Sequence, residues 1–340
     1  MKIQDVLVLK RGYDLPESKR INGQYLIYSS NGIAGSHNEY KVKGPAVITG
    51  RSGSLGTVQY TENNCWPLNT TLYVSDFKGN NPKYISYLLQ MLHLEKYGSG
   101  SAVPTLNRNH LDNLEVTFHS LIEQQHIVDI IGSIDDKIEN NNKIIEKFNK
   151  FLKIKTNELL LYKTTKIQLN DIIEECTEKT DIELTPYSVV NTGKVIIQNE
   201  QFNKEIAKNI KGKYKKIKKD FFVYNPSRIN IGSIGMMEDK IGCVSPIYIV
   251  FKCGVEYKIY LQQLLTFEFM IKEINKRCSG SVRQALPFKD LCSIEIYDIE
   301  RDKLKLYNKY CENIIKTIKK LEEENLKLQQ LKNNYLAKFF

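Results

Sequence analysis

The chain writes nearly the same thing twice. Ser99-Gly100-Ser101, followed by Leu106, returns as Ser279-Gly280-Ser281, followed by Leu286. Matching apolar positions come after each copy: Leu111 and Leu291, Leu114 and Ile294, Val116 and Ile296. Each copy then leads into a long helical pattern, once to about Leu161 and once to Phe340. A chain with this order needs two separate cores and a partner for each helix. The segments divide as 1–119 and 163–299 for two globular units, with 120–162 and 300–340 for the helices. The expected class is α+β (mixed α/β), with an internal pseudo-twofold repeat of about 180 residues.

The helices carry a seam. Ser120-Leu121-Ile122-Glu123 has capping-box form, a hydroxyl at the N-cap and a carboxylate three residues on. Steps of four and three then run through Ile127, Ile131, Ile134, Ile138, Asn141, Ile145, Phe148, Leu152, Lys155 and Leu159. The second series is Tyr307, Cys311, Ile314, Ile318, Leu321, Asn325, Leu328, Lys332, Tyr335 and Phe339, with Leu331 able to fill the layer of Lys332. A strict alternation of this kind marks a coiled-coil seam rather than a general amphipathic face. Asn141 and Asn325 either form a buried polar layer that fixes register or sit at the seam edge in water. Antiparallel pairing within the chain is expected, because the repeat supplies a matched partner; an intermolecular coil is the other arrangement.

In the globular segments, short β-branched runs bounded by Gly, Pro and Asn predict strands. They are Val6–Leu9, Ala46–Thr49 and Thr71–Val74, then Phe221–Tyr224 and Ile247–Phe251. Helices are predicted over Pro82–His93 and Tyr260–Asn275. The order of strands, helix and Ser-Gly-Ser segment is the same in both halves.

No apolar run approaches the roughly 18 residues of a membrane span, and the N-terminus does not read as a secretory signal, so a cytoplasmic location is expected. Seven cysteines are scattered without a CxxC pair, which suggests reduced packing residues. The five histidines form no metal-binding pattern. The net charge of +10 favours polyanionic partners. Its densest stretch is Lys204 to Lys219, eight lysines against Glu205 alone, read as a phosphate-facing edge or a solvated face. Gly50-Arg51-Ser52-Gly53-Ser54-Leu55-Gly56-Thr57 lacks the Gly-Lys-Ser/Thr of a nucleotide loop. It reads instead as a tight turn with Arg51 and backbone N–H groups exposed, and Arg228 with Ser233-Ile234-Gly235 holds the equivalent place. Asn225-Pro226-Ser227-Arg228 lacks the second proline and the aromatic of an amino-methyltransferase motif. No methyl-donor loop or catalytic triad is present, which argues against a self-contained nuclease or methyltransferase. A coiled-coil scaffold or an RNA-binding protein are the remaining classes.

Tyr28-Ser29-Ser30-Asn31-Gly32, Thr49 to Gly56, Trp66-Pro67-Leu68-Asn69-Thr70, Gly98 to Leu106 and the helix start Glu123-Gln124-Gln125 resemble the target recognition domain of type I restriction-modification specificity subunits. The second half departs, with Arg283-Gln284-Ala285 in place of Val103-Pro104-Thr105. The resemblance implies two target recognition domains separated by a pair of long antiparallel coiled-coil helices. It implies a non-catalytic chain that reads a bipartite site in double-stranded DNA, one half-site per domain. The partners it implies are two methyltransferase subunits carrying S-adenosylmethionine and restriction subunits using ATP and magnesium, with no cofactor in this chain. A related system with a fused methyltransferase-nuclease partner would look the same. A helix of about 40 residues spans about 60 Å, more than the roughly 34–36 Å of one DNA turn.

Candidate DNA-contacting residues are Ser30, Asn31, His37, Asn38 and Arg51 in the first domain. In the second, Lys213, Lys215 and Lys216 are candidates for the phosphate backbone, with Arg228 and Asn230 for bases. Lysines position on phosphates, whereas Arg, Asn and Ser can read base edges.

Overall fold

The computed structural model describes residues 1–99, 104–198, 210–279 and 284–340. Gly100, Ser101 and Val103, their counterparts Gly280, Ser281 and Arg283, and Lys204 and Lys208 lie outside the described residues. Residues 1–143 with 322–340 make one unit and residues 144–321 the other. The long helices are thus shared between the units rather than standing as separate segments.

In the first unit a helical turn, α1 (Ile3–Val6), precedes seven strands: β1 (Val8–Arg11), β2 (Tyr25–Ser29), β3 (Gly32–His37), β4 (Ala46–Gly50), β5 (Val58–Thr61), β6 (Cys65–Pro67) and β7 (Thr71–Asp76). The strand expected from Val6 begins only at Val8. Ile3 and Val6 are both buried, three residues apart as a helical turn requires, and Asp5 caps the turn by accepting the Lys2 N–H at 3.3 Å. One antiparallel sheet has the order β1-β7-β4-β5; a second, β3-β2-β6, pairs β2 with β6 in parallel. All five residues of the central strand β4 are buried. α2 (Pro82–Met91) starts on Asn81, whose side chain accepts from the amides of Lys83 and Tyr84, with proline at the first helical position. Its Tyr84, Tyr87 and Leu88 bury against Val47, Leu72 and Val74. The pair β8 (Gly98–Ser99) and β9 (Thr105–Leu106) follows, and α3 (Leu121–Leu159) begins in this unit.

The second unit contains β10 (Lys163–Gln168), β11 (Ile173–Glu175), β12 (Pro186–Val189), β13 (Val195–Ile197), β14 (Lys215–Lys218), β15 (Phe222–Tyr224), β16 (Ile234–Met236), β17 (Ile241–Val244) and β18 (Ile249–Cys253). Three helices, α4 (Lys258–Leu264), α5 (Glu268–Arg277) and α6 (Phe288–Cys292), precede β19 (Glu295–Ile299) and the start of α7 (Arg301–Phe339). The single helix expected over Tyr260–Asn275 is therefore two. Thr266 Oγ1 donates to the Gln263 carbonyl at 2.8 Å and the Thr266 amide bonds the same carbonyl, so the main-chain ladder ends there.

The sheets repeat strand for strand. β11-β18-β15-β16 has the order and antiparallel sense of β1-β7-β4-β5. β13-β12-β17 repeats β3-β2-β6, including the parallel pairing of β12 with β17, and adds β14 at the edge. Backbone bonds outside the sheets repeat too. The Leu106 amide donates to the Arg51 carbonyl at 2.8 Å, and the Leu286 amide donates to the Pro226 carbonyl at 3.1 Å.

The seam is where periodicity places it. Ser120 and Glu123 complete the capping box, with the Ser120 amide on Glu123 Oε2 at 2.8 Å. On α3, Ile127, Ile131, Ile134, Asn141, Leu152 and Leu159 are buried, and Ile138, Ile145, Phe148 and Lys155 half-buried. Asn141 is 1% exposed, which settles the two readings of that layer. Its Nδ2 donates to Asn325 Oδ1 at 2.9 Å, and Asn325 Nδ2 donates to Asn142 Oδ1 at 2.9 Å. Going back along α3, Asp135 meets Lys332 at 2.7 Å, and Ile131 and Ile127 share a core with Leu336. Falling numbers on one helix against rising numbers on the other mean antiparallel pairing. In the second unit the same sense brings Thr156 Oγ1 to Tyr307 Oη at 2.7 Å and sets the Phe151 ring 5.9 Å from that of Tyr310. Tyr307 and Cys311 are buried there, and Ile314 and Ile318 pack against the same core. Lys332 keeps its layer, with its side chain 12% exposed against Asp135, while Leu331 points out at 43%.

Candidate nucleic-acid interface

Two β-turns hold corresponding places in the two units. In the first, Ser29 pairs with Gly32 across β2 and β3, leaving Ser30 and Asn31 as the central turn residues. Ser29 Oγ donates to the Gly32 carbonyl at 2.9 Å and accepts the Asn31 amide at 3.3 Å. In the second, β12 and β13 are joined by Val190-Asn191-Thr192-Gly193-Lys194. The Gly193 amide closes the turn on the Val190 carbonyl at 3.0 Å, so Asn191 and Thr192 are central. Asn31, Asn191 and Thr192 are exposed.

Each turn is seated on the loop that joins the third and fourth strands of the main sheet. The residue before the fourth strand supplies a hydroxyl in both. Thr57 Oγ1 donates to the Ser30 carbonyl at 2.7 Å, and Ser233 Oγ donates to the Val189 carbonyl at 2.9 Å. In the first unit Gln59 Nε2 adds a bond to the Ser29 carbonyl at 3.0 Å. In the second, a Cβ at Gly235 would meet the Gly193 carbonyl oxygen closer than 3.0 Å, so only glycine lets the turn settle there.

The Gly-rich loop is internally committed. The amides of Gly50, Arg51, Ser52 and Gly53 donate to the carbonyls of Thr57, Thr70, Thr70 and Pro104. The expectation of exposed N–H groups there is therefore corrected: four successive donors are already bonded. The half-buried Arg51 guanidinium reaches the Asn69 carbonyl at 3.4 Å. The place equivalent to Arg51 was expected at Arg228; the shared leucine amide puts it at Pro226, and Arg228 lies two residues further on.

The candidates separate accordingly. Ser30 and Asn31 form the first turn, Ser30 itself buried at 7%, while Arg51 lies in the Gly-rich loop with its guanidinium on Asn69. His37 and Asn38 lie at the opposite end of the hairpin, where His37 pairs with Tyr25. His37 is 5% exposed, accepts the Ile21 amide on Nδ1 at 3.1 Å and packs edge-on to Trp66, a core position rather than a surface one. Asn38 is exposed. The exposed Arg228 and half-buried Asn230 occupy the loop beneath the second turn. Asn191 and Thr192 escaped the sequence reading, although Asn-Thr-Gly between two β-branched runs is a turn signal.

Lys213, Lys215 and Lys216 lie on and before β14, two strands from β12, about 10 Å at the usual strand spacing. Lys213 is exposed, whereas Lys215 Nζ donates to the Tyr248 carbonyl at 2.8 Å. Lys216 and Lys218 both grip Glu178, at 2.9 and 3.2 Å. Hydrogen bonds from Lys216 and then Lys218 hold the Glu178 carboxyl below the usual carboxylate range, and the same contact raises Lys216. Among the described residues of the run, Lys211, Lys213 and Lys219 are exposed and carry no such ion pair.

Among the described residues no group of three His, Cys, Asp or Glu side chains could hold a metal ion, and no helix is long and apolar enough to cross a membrane. Burial pushes the Cys65 thiol up to about 12 and the Cys243 thiol up to about 11, as befits packing residues rather than nucleophiles.

Comparison with known proteins matches residues 1–150 to the family described as Type I restriction modification DNA specificity domain. Residues 1–150 are thus similar to a type I restriction-modification DNA specificity domain. A curated relative, the Type I restriction enzyme EcoprrI specificity subunit of Escherichia coli, is 28% identical over 124 residues, 36% of this chain. That stretch is 31% of the relative's own length. The crystal structure of the type I restriction-modification S subunit from M. genitalium covers 100% of this chain and 95% of that one, with a TM-score of 0.65 at 16% identity. At that identity the likeness is one of fold. The strands of the second unit, all beyond the matched residues, repeat the strand order of the first.

Proposed function

We propose that the chain is the non-catalytic specificity subunit of a type I restriction-modification complex. Each unit reads one half of a split site in double-stranded DNA. Two methyltransferase subunits, carrying S-adenosylmethionine, methylate adenine at the site so chosen, and restriction subunits use ATP and magnesium. The observation that carries the reading is the duplication: one scaffold, built twice from different residues, is what two readers of different half-sites require. The test is to co-purify the chain with the methyltransferase encoded beside it and map adenine methylation across a genome carrying the pair. A split motif with two fixed halves and a constant gap is expected. A continuous motif would leave one unit without a reading role, and no methylation at all would sink the reading.

Phosphate contact is expected from the unpaired lysines rather than from Lys215 and Lys216. Changing Lys211, Lys213 and Lys219 together to Glu should weaken binding to every duplex alike. It should also reduce the slope of log K against log salt by up to about 3, at about 0.9 per phosphate contact. Lys216→Ala should change the slope less, because that ammonium is held by Glu178. Equal slopes for the triple variant and the parent would take this edge out of the interface.

A further inference from the structure

We infer that the central residues of the two turns, Asn31 in the first unit and Asn191 with Thr192 in the second, are the residues that read bases. The inference rests on the specificity-subunit reading above and names the side chains that perform it. Three observations carry it.

The first is equivalence. Both turns join strands of the second sheet that correspond by pairing, β2 with β3 and β12 with β13, next to the parallel partners β6 and β17. The second is support. The residue before the fourth strand of the main sheet gives a hydroxyl-to-carbonyl bond in each unit, Thr57 to Ser30 inside the first turn and Ser233 to Val189, the strand residue that leads into the second. That loop is itself tied down, in the first unit by four successive amide bonds and in the second by the Asn225 and Leu286 amides. A reading group must be held in place by what lies beneath it, and these loops do that. The third is divergence at the tip. The seat uses the same chemistry in both units, while the central pair differs, Ser30-Asn31 against Asn191-Thr192, with Asn31, Asn191 and Thr192 exposed. Asparagine can bond adenine N6 and N7 together in the major groove, and threonine offers a hydroxyl and a methyl to base edges. Arg51 does not share this position: its guanidinium is turned to Asn69, and its counterpart is a proline.

The experiment uses the chain in complex with its methyltransferase. The parent complex defines the split motif by genome-wide adenine methylation. Asn31→Ala, Asn191→Ala and Thr192→Ala are then compared on duplexes carrying each single-base change in either half. Each variant should lose roughly tenfold to a hundredfold of discrimination at a position of one half-site, the range for one good side-chain contact. The other half-site and the gap should stay as they were. Asn31 and the Asn191/Thr192 pair should affect opposite halves. An unchanged Tm keeps folding out of the comparison, and the two neighbouring substitutions in the second turn serve as checks on each other. Full discrimination in all three variants overturns the inference. So does a uniform loss over all sequences, which would make the tips backbone contacts. Failure of the specificity reading shows separately, as a parent complex that produces no split motif, and it would take this inference with it.

Discussion

Removing Glu322–Phe340 is expected to unfold the first unit, although the deletion lies more than 200 residues from its nearest strand, β9, in sequence. Those last residues belong to the first unit, not to the second. Leu336 is 5% exposed within the core built by Ile3, Val47, Tyr84 and Ile131, and Tyr335, Phe339 and Phe340 pack against it. Phe340 lies 5.2 Å from the Tyr84 ring, centroid to centroid. Lys332 meets Asp135, which also accepts the Tyr87 hydroxyl at 2.8 Å. Full burial of one such side chain contributes about 1.5–3 kcal/mol, so one buried and three half-buried ones together are worth about 5 kcal/mol. That is comparable to the whole stability of many domains, about 5–15 kcal/mol. The single tryptophan, Trp66, lies in this unit and is 6% exposed, so its emission reports on it alone. Truncation after Leu321 should shift that emission to the red. A synthetic peptide of residues 322–340 should reverse the shift in proportion to its concentration, as a ligand of the native state does. Unshifted emission would mean that the helix end only decorates a domain already complete.

The same segment shows what a sequence reveals and what it hides. The seam was legible because its evidence is local: a 3.5-residue period is written within each helix, whatever it packs against. That the two asparagines face each other was not legible, since Asn141 and Asn325 do not occupy equivalent positions of the repeat and meet only through antiparallel pairing. The repeat of the sheets was harder still. Its recurring bonds run from backbone to backbone, Leu106 to Arg51 and Leu286 to Pro226, and a carbonyl accepts equally well from arginine or proline. A reading by side-chain likeness therefore matched Arg51 to the wrong residue. The lysine run misled for a related reason. Its charges are visible in sequence, but their partner Glu178 lies 38 residues before Lys216 and comes close only through folding. His37 reads as a polar surface residue in a Gly-Ser-His-Asn stretch, yet its neighbours Ile21 and Trp66 arrive from elsewhere to bury it.

Gly50→Ala should damage the first unit far more than Arg51→Ala, in stability and in reading alike. A Cβ at Gly50 would fall closer than 3.0 Å to the Ser54 carbonyl oxygen, a backbone atom that cannot swing away. Relief requires the loop to open. Opening strains the Gly50-to-Thr57 amide bond and the bonds of Arg51 and Ser52 to Thr70 and of Gly53 to Pro104. It also moves Thr57, whose hydroxyl seats the turn at Ser30. Overpacking of this kind costs about 1–3 kcal/mol, and its rigid surroundings place Gly50 toward the upper end. Arg51→Ala gives up one long bond to the Asn69 carbonyl from a half-buried side chain, about 1 kcal/mol or less. Chemical denaturation followed through Trp66 measures both. On DNA, Gly50→Ala should blur the half-site read by the first unit, because Asn31 loses its seat, while the second half-site stays sharp. Arg51→Ala should leave the motif as it was. The opposite order, a silent Gly50→Ala beside an Arg51→Ala that erases one half-site, would move base reading from the turn to the Gly-rich loop. The hydroxyl seats of Thr57 and Ser233 would then be packing alone.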